Sequence, residues 1–309
     1  MNKTLVAIVL SLLAFNCFSE TRIVYGQDNR IDMKDVRDPR IKNLGKAIAG
    51  RIFKYAYSLD TESKYMAIDN LLTLSDPHSM NVCKQERFAE QLTIVDCTGF
   101  LVAEDLLVTA GHCMVPFGET VKNDTTKECL DNEWLFDFKE DQRSKLNPNK
   151  INMKNVYGCE EVIYGVYGEE NDFALIKLSK KVTGRKPLKL NSKSAPSVGT
   201  NIFVMGHPTG LPLKYADGAK VFSNHKNYFS TNLDTFGGNS GSPVFNAKTL
   251  EVDGILVRGD VDYRDIEKED GSSCNVVNVC DSERENCAEN DPNIDGEHVT
   301  VIKNILDVL

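Results

Sequence analysis

Short apolar segments separated by turn-forming residues dominate the chain from Cys97 onward. They lie at Phe100–Val102, Leu106–Val108, Trp134–Phe138, Glu161–Tyr167, Phe173–Leu178, Asn201–Met205, Tyr228–Leu233 and Val252–Val257. Each segment is rich in strand-forming side chains, and Gly, Pro or Asn residues separate them, which is typical of a sandwich or barrel. We therefore predict an all-β fold, divided into two comparable halves by the Pro-, Lys- and Ser-rich connector 184–197.

Two segments have helical spacing of their apolar residues instead. After Pro39, the apolar positions recur at intervals of three and four at Ile41, Leu44, Ile48 and Ile52, which predicts an amphipathic helix of about four turns. The same spacing at Val299, Ile302, Ile305, Leu306 and Leu309 predicts a closing C-terminal helix. The predicted organisation is an N-terminal segment 20–96 that packs on a domain 97–309. Within that domain we expect barrels at 97–183 and 198–260, an acidic loop 260–296 and the helix 298–309.

The first 19 residues have the pattern of a secretory signal peptide. Lys3 provides a positive charge, Leu5–Phe15 is an apolar run, and Ser19 is a small residue before the predicted signal-peptide cleavage site. The run is shorter than the 20 or so apolar residues that span a bilayer. We therefore predict a secreted protein, extracellular or periplasmic, with no membrane span.

Removal of that segment takes away Cys17 and leaves eight of the nine cysteines. An even number in an exported chain indicates disulfides, and since no Cys-x-x-Cys pair occurs, we expect no metal site. The net charge of −9 argues against nucleic acid or an anionic membrane as a partner. We expect a monomer that acts on proteins or peptides.

Three stretches carry side chains that can act together chemically. His112 lies in Thr109–Cys113, Asp172 precedes a predicted strand, and Ser240 lies in the glycine-rich stretch Phe236–Pro243. A serine hydroxyl is a weak nucleophile and needs an adjacent base, which histidine provides. A carboxylate orients that histidine and stabilises its charged form. We predict a triad in which Ser240 is the nucleophile, His112 the general acid/base and Asp172 the orienting acid.

The backbone around Ser240 can also stabilise a developing oxyanion. The amides of Gly238 and Ser240 can converge on one point, because Gly237 and Gly238 permit the tight turn that this requires. An α/β-hydrolase has the order Ser, acid, His and a Gly-x-Ser-x-Gly motif. Here the order is His, Asp, Ser, and Ser242 stands two residues after Ser240.

Thr109–Cys113, Asn171–Leu175 and Gly238–Pro243 resemble the three signature segments of trypsin/chymotrypsin-like serine endopeptidases. The stretch Gly238–Asn246 is more similar still to the bacterial glutamyl-endopeptidase-like branch. The similarity covers about residues 90–260 and the end helix. It implies a chymotrypsin-like double six-stranded β-barrel with the triad in the cleft, and hydrolysis of peptide bonds through an acyl-enzyme.

The resemblance also implies a disulfide between Cys97 and Cys113, beside the catalytic histidine. The other six cysteines allow 15 pairings, among which the sequence does not choose. One departure concerns activation: Asn239 stands where the animal enzymes have an aspartate that pairs with the freed N-terminal amine. That ion pair cannot form here, although Ile23, directly after Arg22, still marks a candidate processing point.

A second departure concerns recognition of the substrate residue that precedes the scissile bond. Asp234 lies six residues before Ser240, where trypsin-like members hold the acid that pairs with Arg or Lys. Thr235 is shared with the glutamyl branch, but Leu256 stands where those enzymes use a histidine. We predict a preference for basic residues, with glutamyl specificity as the alternative; a pairing of Arg258 with Asp234 would remove the basis for that preference.

The residues predicted to contact substrate backbone are Val257, Arg258 and Gly259.

Other functions remain open from the sequence. A non-catalytic binding protein could use the same fold, and an esterase could use the same triad. Asp291–Gly296 resembles the start of a calcium loop, but Ile302 stands at the twelfth position, where Glu is expected. We expect an acidic disulfide loop there and no cofactor, with calcium as the rival interpretation.

Overall fold

The computed structural model describes residues 24–59, 65–68, 71–140, 151–280 and 295–309. The signal segment 1–19, Ile23, Cys287 and residues 291–294 lie outside the described residues, so the predictions made on them stay predictions. None of the helices in the described ranges is long and apolar enough to cross a membrane.

The secondary structure is mostly short strands. The strands before Cys97 are β1 Val24–Tyr25, β2 Ile31–Asp32, β3 Ile48–Phe53, β4 Tyr57–Leu59 and β5 Tyr65–Ile68. Those up to the connector are β6 Cys97–Leu101, β7 Leu106–Thr109, β8 Thr120–Asp124, β9 Asn132–Phe136, β10 Ile151–Asn152, β11 Val156–Tyr167 and β12 Asp172–Leu178. Those after it are β13 Asn201–Gly206, β14 Lys214–Asn224, β15 Tyr228–Thr231, β16 Pro243–Asn246, β17 Val252–Arg258, β18 Tyr263–Glu267, β19 Ser273–Val277, β20 Val279–Cys280 and β21 Glu297–Val301. The α-helices are α1 Pro39–Leu44, α2 Lys127–Asp131 and α3 Lys303–Leu306.

Two closed antiparallel barrels form the body of the protein, as the resemblance implied. The first has the order β12-β7-β6-β3-β9-β11 and closes through β11 and β12, with β8 added to β11. The second has the order β13-β16-β17-β21-β15-β14 and closes through β13 and β14, with β2 added to β14. Closure removes the exposed strand edges that an open sheet would present. The double six-stranded barrel predicted for this chain is confirmed.

The predicted helix after Pro39 is wrong beyond Leu44. Helix α1 ends there, and Ile48–Phe53 forms strand β3, which pairs with β6 on one side and β9 on the other. Ile48 and Ile52 fit both a helical interval of four and a strand alternation of two, and both side chains are buried. Long-range pairing decides between the two patterns, so the first barrel begins before residue 97.

The predicted C-terminal helix is also shorter than expected. Residues 297–301 form strand β21, which pairs with β15 and β17 and completes the second barrel, and helix α3 follows. The second barrel therefore extends beyond residue 260. The acidic loop itself contains a hairpin of β18 and β19 and the short strand β20, which pairs in parallel with β1.

Three disulfides join the described cysteines. The Cys97–Cys113 bond implied by the resemblance is present, and the others are Cys83–Cys274 and Cys129–Cys159. Cys280 is disulfide-bonded as well. The Cys83–Cys274 bond attaches the segment 71–95 to the β18–β19 hairpin, where Val82 also pairs with Asn275.

Removal of the Cys83–Cys274 bond should lower the free energy of unfolding by about 2–4 kcal/mol, because it closes a loop with a sequence separation of 191. The double variant Cys83→Ala/Cys274→Ala would be unfolded in urea and followed by circular dichroism. The matched control is Cys129→Ala/Cys159→Ala, whose separation is 30 and whose loss should cost less. A smaller cost for the long loop than for the short one would contradict this expectation.

Candidate active site

His112 and Asp172 are brought together by neighbouring strands of the first barrel. Strand β7 pairs with β12, with Thr109 opposite Ala174, so the turn after β7 lies beside the first residue of β12. His112 occupies that turn, and its Nδ1 lies 2.8 Å from Asp172 Oδ2. The His112 backbone N–H donates to Asp172 Oδ1 at 3.0 Å. Because an ionised carboxylate only accepts, Nδ1–H is the donor and Nε2 is the ring atom that can accept a proton.

Ser240 lies against the same turn from the second barrel. The Thr98 N–H on β6 donates to Ser240 O at 2.7 Å, and Cys113 Sγ, one residue after His112, lies 3.9 Å from the same oxygen. Gly241 has φ +88°, and a Cβ there would lie 2.0 Å from Thr98 O and 2.9 Å from Ala110 N. Only glycine fits this approach of two backbones. The structure therefore assembles His112, Asp172 and Ser240 where the barrels meet.

The nucleophile turn, Phe236–Ser240, has a backbone conformation that suits an oxyanion hole. The Asn239 N–H donates to Phe236 O at 2.9 Å, and Gly238 at the third position of this turn has φ +85°. The Gly237 carbonyl accepts from Thr209 N–H, so the Gly238 N–H of the same peptide points the other way. This arrangement can present the Gly238 amide to a developing oxyanion.

The segment His207–Gly210 supports the nucleophile turn from behind. His207 N–H donates to Thr98 Oγ1 at 3.1 Å, and Thr98 Oγ1 donates to Gly238 O at 2.8 Å. His207 is 1% exposed, and its ring Nδ1 lies 2.9 Å from Leu211 O. Burial lowers the pKa of His207 to about 4, against a smaller opposing effect of the Leu211 carbonyl. A neutral imidazole is therefore part of the folded state.

The prediction that Asp234 faces the substrate is wrong. Its carboxylate is buried and accepts the Tyr25 N–H at Oδ1 and the Asn29 N–H at Oδ2, each at 2.8 Å. Burial raises the pKa of Asp234 to about 6, although these amide donors oppose the shift. Asp234 lies at the sequence position of the acid that pairs with Arg or Lys in trypsin-like enzymes. Its side chain nevertheless points to the N-terminal segment.

Arg30 joins the same N-terminal segment to the nucleophile turn. Its guanidinium lies 3.8 Å from the centroid of the Phe236 ring, and the side chain is 1% exposed. Asp28 binds this guanidinium at two points, with Nε–Oδ1 2.9 Å and Nη2–Oδ2 2.7 Å. A desolvated cation over an aromatic ring is a favourable contact of roughly 2 kcal/mol. Sequence reasoning missed Arg30, because nothing local in the sequence connects it with Phe236.

The remaining predicted substrate contacts lie along β17 and the turn beside it. The Gly241 N–H donates to Leu256 O at 2.7 Å and the Leu256 N–H to Ser242 O at 3.0 Å, so Val257, Arg258 and Gly259 continue alongside the nucleophile turn. Arg258 donates to Gly168 O at 2.6 Å in the first barrel, and does not pair with Asp234. The role of these three residues in binding substrate stays a prediction.

A buried carboxylate that the sequence did not single out lies close to Thr235. Glu297, the first residue of β21, is fully buried; it accepts from Thr235 Oγ1 at Oε2 and from the Asp260 N–H at Oε1, the latter at 3.3 Å. Its contact with Thr235 depends on the pairing of β21 with β15, in which Glu297 lies opposite Thr231. No short motif could have found it.

Neither candidate cation site gains support from the side chains that are described. Cys97, His112 and Cys113 lie close together, but the two sulfurs are joined in a disulfide and His112 pairs with Asp172. Asp295, the fifth position of the calcium-loop pattern that begins at residue 291, accepts from Ser230 Oγ at 2.8 Å and lies 2.7 Å from His298 Nε2.

His207 should make the folded state sensitive to acid. Its folded pKa of about 4 lies below the unfolded value near 6.5, so the unfolded chain binds more protons in between. Stability should therefore fall as pH drops from 6.5 to 4, by about 3 kcal/mol from this group. The measurement is the difference in unfolding free energy between the wild type and His207→Asn, which keeps a donor for Leu211 O. The raised pKa of Asp234 acts in the opposite direction in both proteins and cancels in the difference. A difference that does not change between pH 7 and 4 would rule out this role.

Part of this chain is similar in sequence to known proteins. Glutamyl endopeptidase of Staphylococcus aureus strain MW2 is 32% identical over 123 residues, which cover 36% of this chain and 37% of that protein. The enzyme of strain MRSA252 is 34% identical over 97 residues, 29% of this chain and 27% of that protein. The matched part thus spans 37% of the first relative and 27% of the second.

Similar solved structures include a Glu endopeptidase, with TM-score 0.42 and 16% identity over 82% of this chain and 93% of that chain. Kallikrein-related peptidase 10 has TM-score 0.40 and 16% identity over 69% and 87%. The sequence profile of the trypsin-like peptidase domain matches residues 97–255, just over half of the chain, and this range includes His112, Asp172 and Ser240. The chain therefore belongs to the trypsin-like peptidases.

Proposed function

We propose that this protein is a secreted serine endopeptidase that cleaves peptide bonds through an acyl-enzyme on Ser240, preferentially after Arg or Lys. The observation that carries the proposal is the 2.8 Å pairing of His112 Nδ1 with Asp172, in the same cleft as the Phe236–Ser240 turn. Secretion is supported by the disulfides and by the signal-like pattern of residues 1–19.

In this mechanism Ser240 Oγ attacks the peptide carbonyl while His112 Nε2 takes the hydroxyl proton. The negative charge that develops on the carbonyl oxygen is stabilised by the amides of Gly238 and Ser240. Asp172 stabilises the imidazolium, which then gives its proton to the leaving amine. A water molecule, deprotonated by His112, attacks the acyl-enzyme and releases the acid with Ser240 restored.

Glutamyl specificity is the second candidate, and the names of the Staphylococcus aureus relatives favour it. In this chain, however, Leu256 stands where that branch uses a histidine, and its side chain packs in the core of the second barrel. A leucine in the barrel core cannot replace the hydrogen bonds that a histidine would give an acidic substrate side chain.

A fluorophosphonate probe should label Ser240 covalently, and peptide mass spectrometry should locate the adduct there. Ser240→Ala should lose the label and reduce peptide hydrolysis by about 10⁴-fold or more. The matched control is Ser242→Ala, a buried serine two residues away, which should keep the label. An unlabelled, folded wild type would refute the triad, and cleavage of esters without peptides would leave an esterase.

Arg30 should act as a positioning residue for the nucleophile turn. Replacement by Met removes the cation above Phe236, so kcat and the rate of fluorophosphonate labelling should both fall about 10-fold with little change in KM. Arg30→Lys should restore part of the loss, which a purely steric role would not explain. An unchanged labelling rate in folded Arg30→Met would contradict the role.

A further inference from the structure

A cleft of about 410 Å³ opens on the first barrel, where four parts of the chain meet. Its walls include Lys46 after α1, Asp137 after β9, Lys154 and Asn155 before β11, and Thr183 and Arg185 at the connector between the barrels. We call this space the basic cleft. Its volume is in the range of sites that bind small molecules.

The basic cleft and the triad lie at opposite ends of strand β11. Tyr157, the second residue of β11, lines the cleft. Tyr167, the last residue of β11, has its ring centroid 5.5 Å from that of His112. None of the residues that line the cleft belongs to the triad or to the nucleophile turn. The cleft is therefore separate from the site described above.

Arg185 forms a fixed wall of the basic cleft. Its side chain is 9% exposed, and Nη2 donates to Asp137 Oδ2 at 2.7 Å and to Asn155 Oδ1 at 2.9 Å. Nη1 donates to Lys46 O at 3.1 Å, and the guanidinium lies 4.9 Å from the centroid of the Phe136 ring. Its Nε–H is buried and has no hydrogen-bond partner in the described part of the chain. These contacts hold one positive charge in place before any ligand binds.

Asp137, the carboxylate among the described residues that line the cleft, is already paired with two cations. Its Oδ1 accepts from Lys139 at 2.9 Å and its Oδ2 from Arg185 at 2.7 Å. Burial raises the pKa of Asp137, but the hydrogen bonds and charges of Arg185 and Lys139 outweigh burial and lower it. Two cations against one carboxylate leave an excess of positive charge.

Three lysines add positive charge around the same cleft. Lys46 and Lys154 line it and are exposed. Lys180 lies nearby, with its Nζ 4.7 Å from the centroid of the Tyr157 ring. Within the described ranges, none of these three lysines forms an ion pair. Because the whole chain has a net charge of −9, this excess is local and acts on anions within about 8 Å at physiological ionic strength.

We infer that the basic cleft binds a tetrahedral oxyanion, a phosphate or sulfate group that is either a free ion or part of a small molecule. The ammonium groups of Lys46 and Lys154 supply positive charge and donors. The Thr183 hydroxyl and the Asn155 amide can supply neutral donors, since Asn155 Oδ1 already accepts from Arg185. A phosphate or sulfate group has three or four oxygens that accept from such donors at once. The site is independent of the proposed peptidase activity, because it shares no residue with the triad.

Isothermal titration calorimetry with inorganic phosphate and sulfate, at fixed ionic strength and pH 7, tests this site. Binding should saturate, with a Kd of about 1 mM or tighter. Lys46→Met and Lys154→Met should each weaken it about tenfold, since each removes a charge-assisted hydrogen bond. Thr183→Glu adds a negative charge to the cleft and should abolish binding. The matched control is Lys193→Met, an exposed lysine of the connector outside the cleft lining, which should leave Kd unchanged.

Glucose 6-phosphate and glucose distinguish the two sources of the oxyanion. Tighter binding of glucose 6-phosphate than of inorganic phosphate would identify a phosphorylated or sulfated small molecule, and equal or weaker binding would identify the free ion. Glucose alone should not bind. Absence of saturable binding by any of the anions would overturn the inference. So would an equal effect of Lys46→Met and Lys193→Met, or full binding by a Thr183→Glu variant that circular dichroism shows to be folded.

Discussion

The backbone of the nucleophile turn is the constraint on which the rest of the site depends. Positive φ at Gly238 and Gly241 lets the chain pass within contact distance of Thr98 and His207, and side chains at either glycine would collide with backbone atoms. The hydrogen bonds from Thr98 to Ser240 O and to Gly238 O then tie the turn to the first barrel. Because His112 stands on that barrel, one set of contacts fixes both the proposed nucleophile and its proposed base.

The N-terminal segment supports the turn from the opposite side. Asn239 cannot form the ion pair used by the animal enzymes, but Asp234 binds two backbone amides of the N-terminal segment and Arg30 covers Phe236. Asp234 therefore ties the residues before the turn to the N-terminal segment, and Arg30 ties the turn itself to the same segment.

Motif and strand patterns predicted much of the molecule, because both are local. The segments around His112, Asp172 and Ser240 carry their chemistry in a few adjacent residues. Strands such as 173–178 can be recognised because they consist mainly of strand-forming residue types. Long-range pairing decided what remained. The spacing of Ile48 and Ile52 is compatible with both a helix and a strand. The segment forms a strand because it pairs with β6 and β9. Asp234 was assigned by its distance from Ser240, whereas the direction of its side chain depends on contacts more than 200 residues away.

We propose that the Ser240 site cleaves peptide bonds and prefers basic side chains before the scissile bond. The most direct test maps every bond that the purified wild type cleaves in a denatured protein mixture of diverse sequence, with Ser240→Ala as the blank. We expect cuts concentrated after Arg and Lys that are absent from the blank. Cuts concentrated after Glu would contradict this proposal, as would equal cleavage by the wild type and the blank.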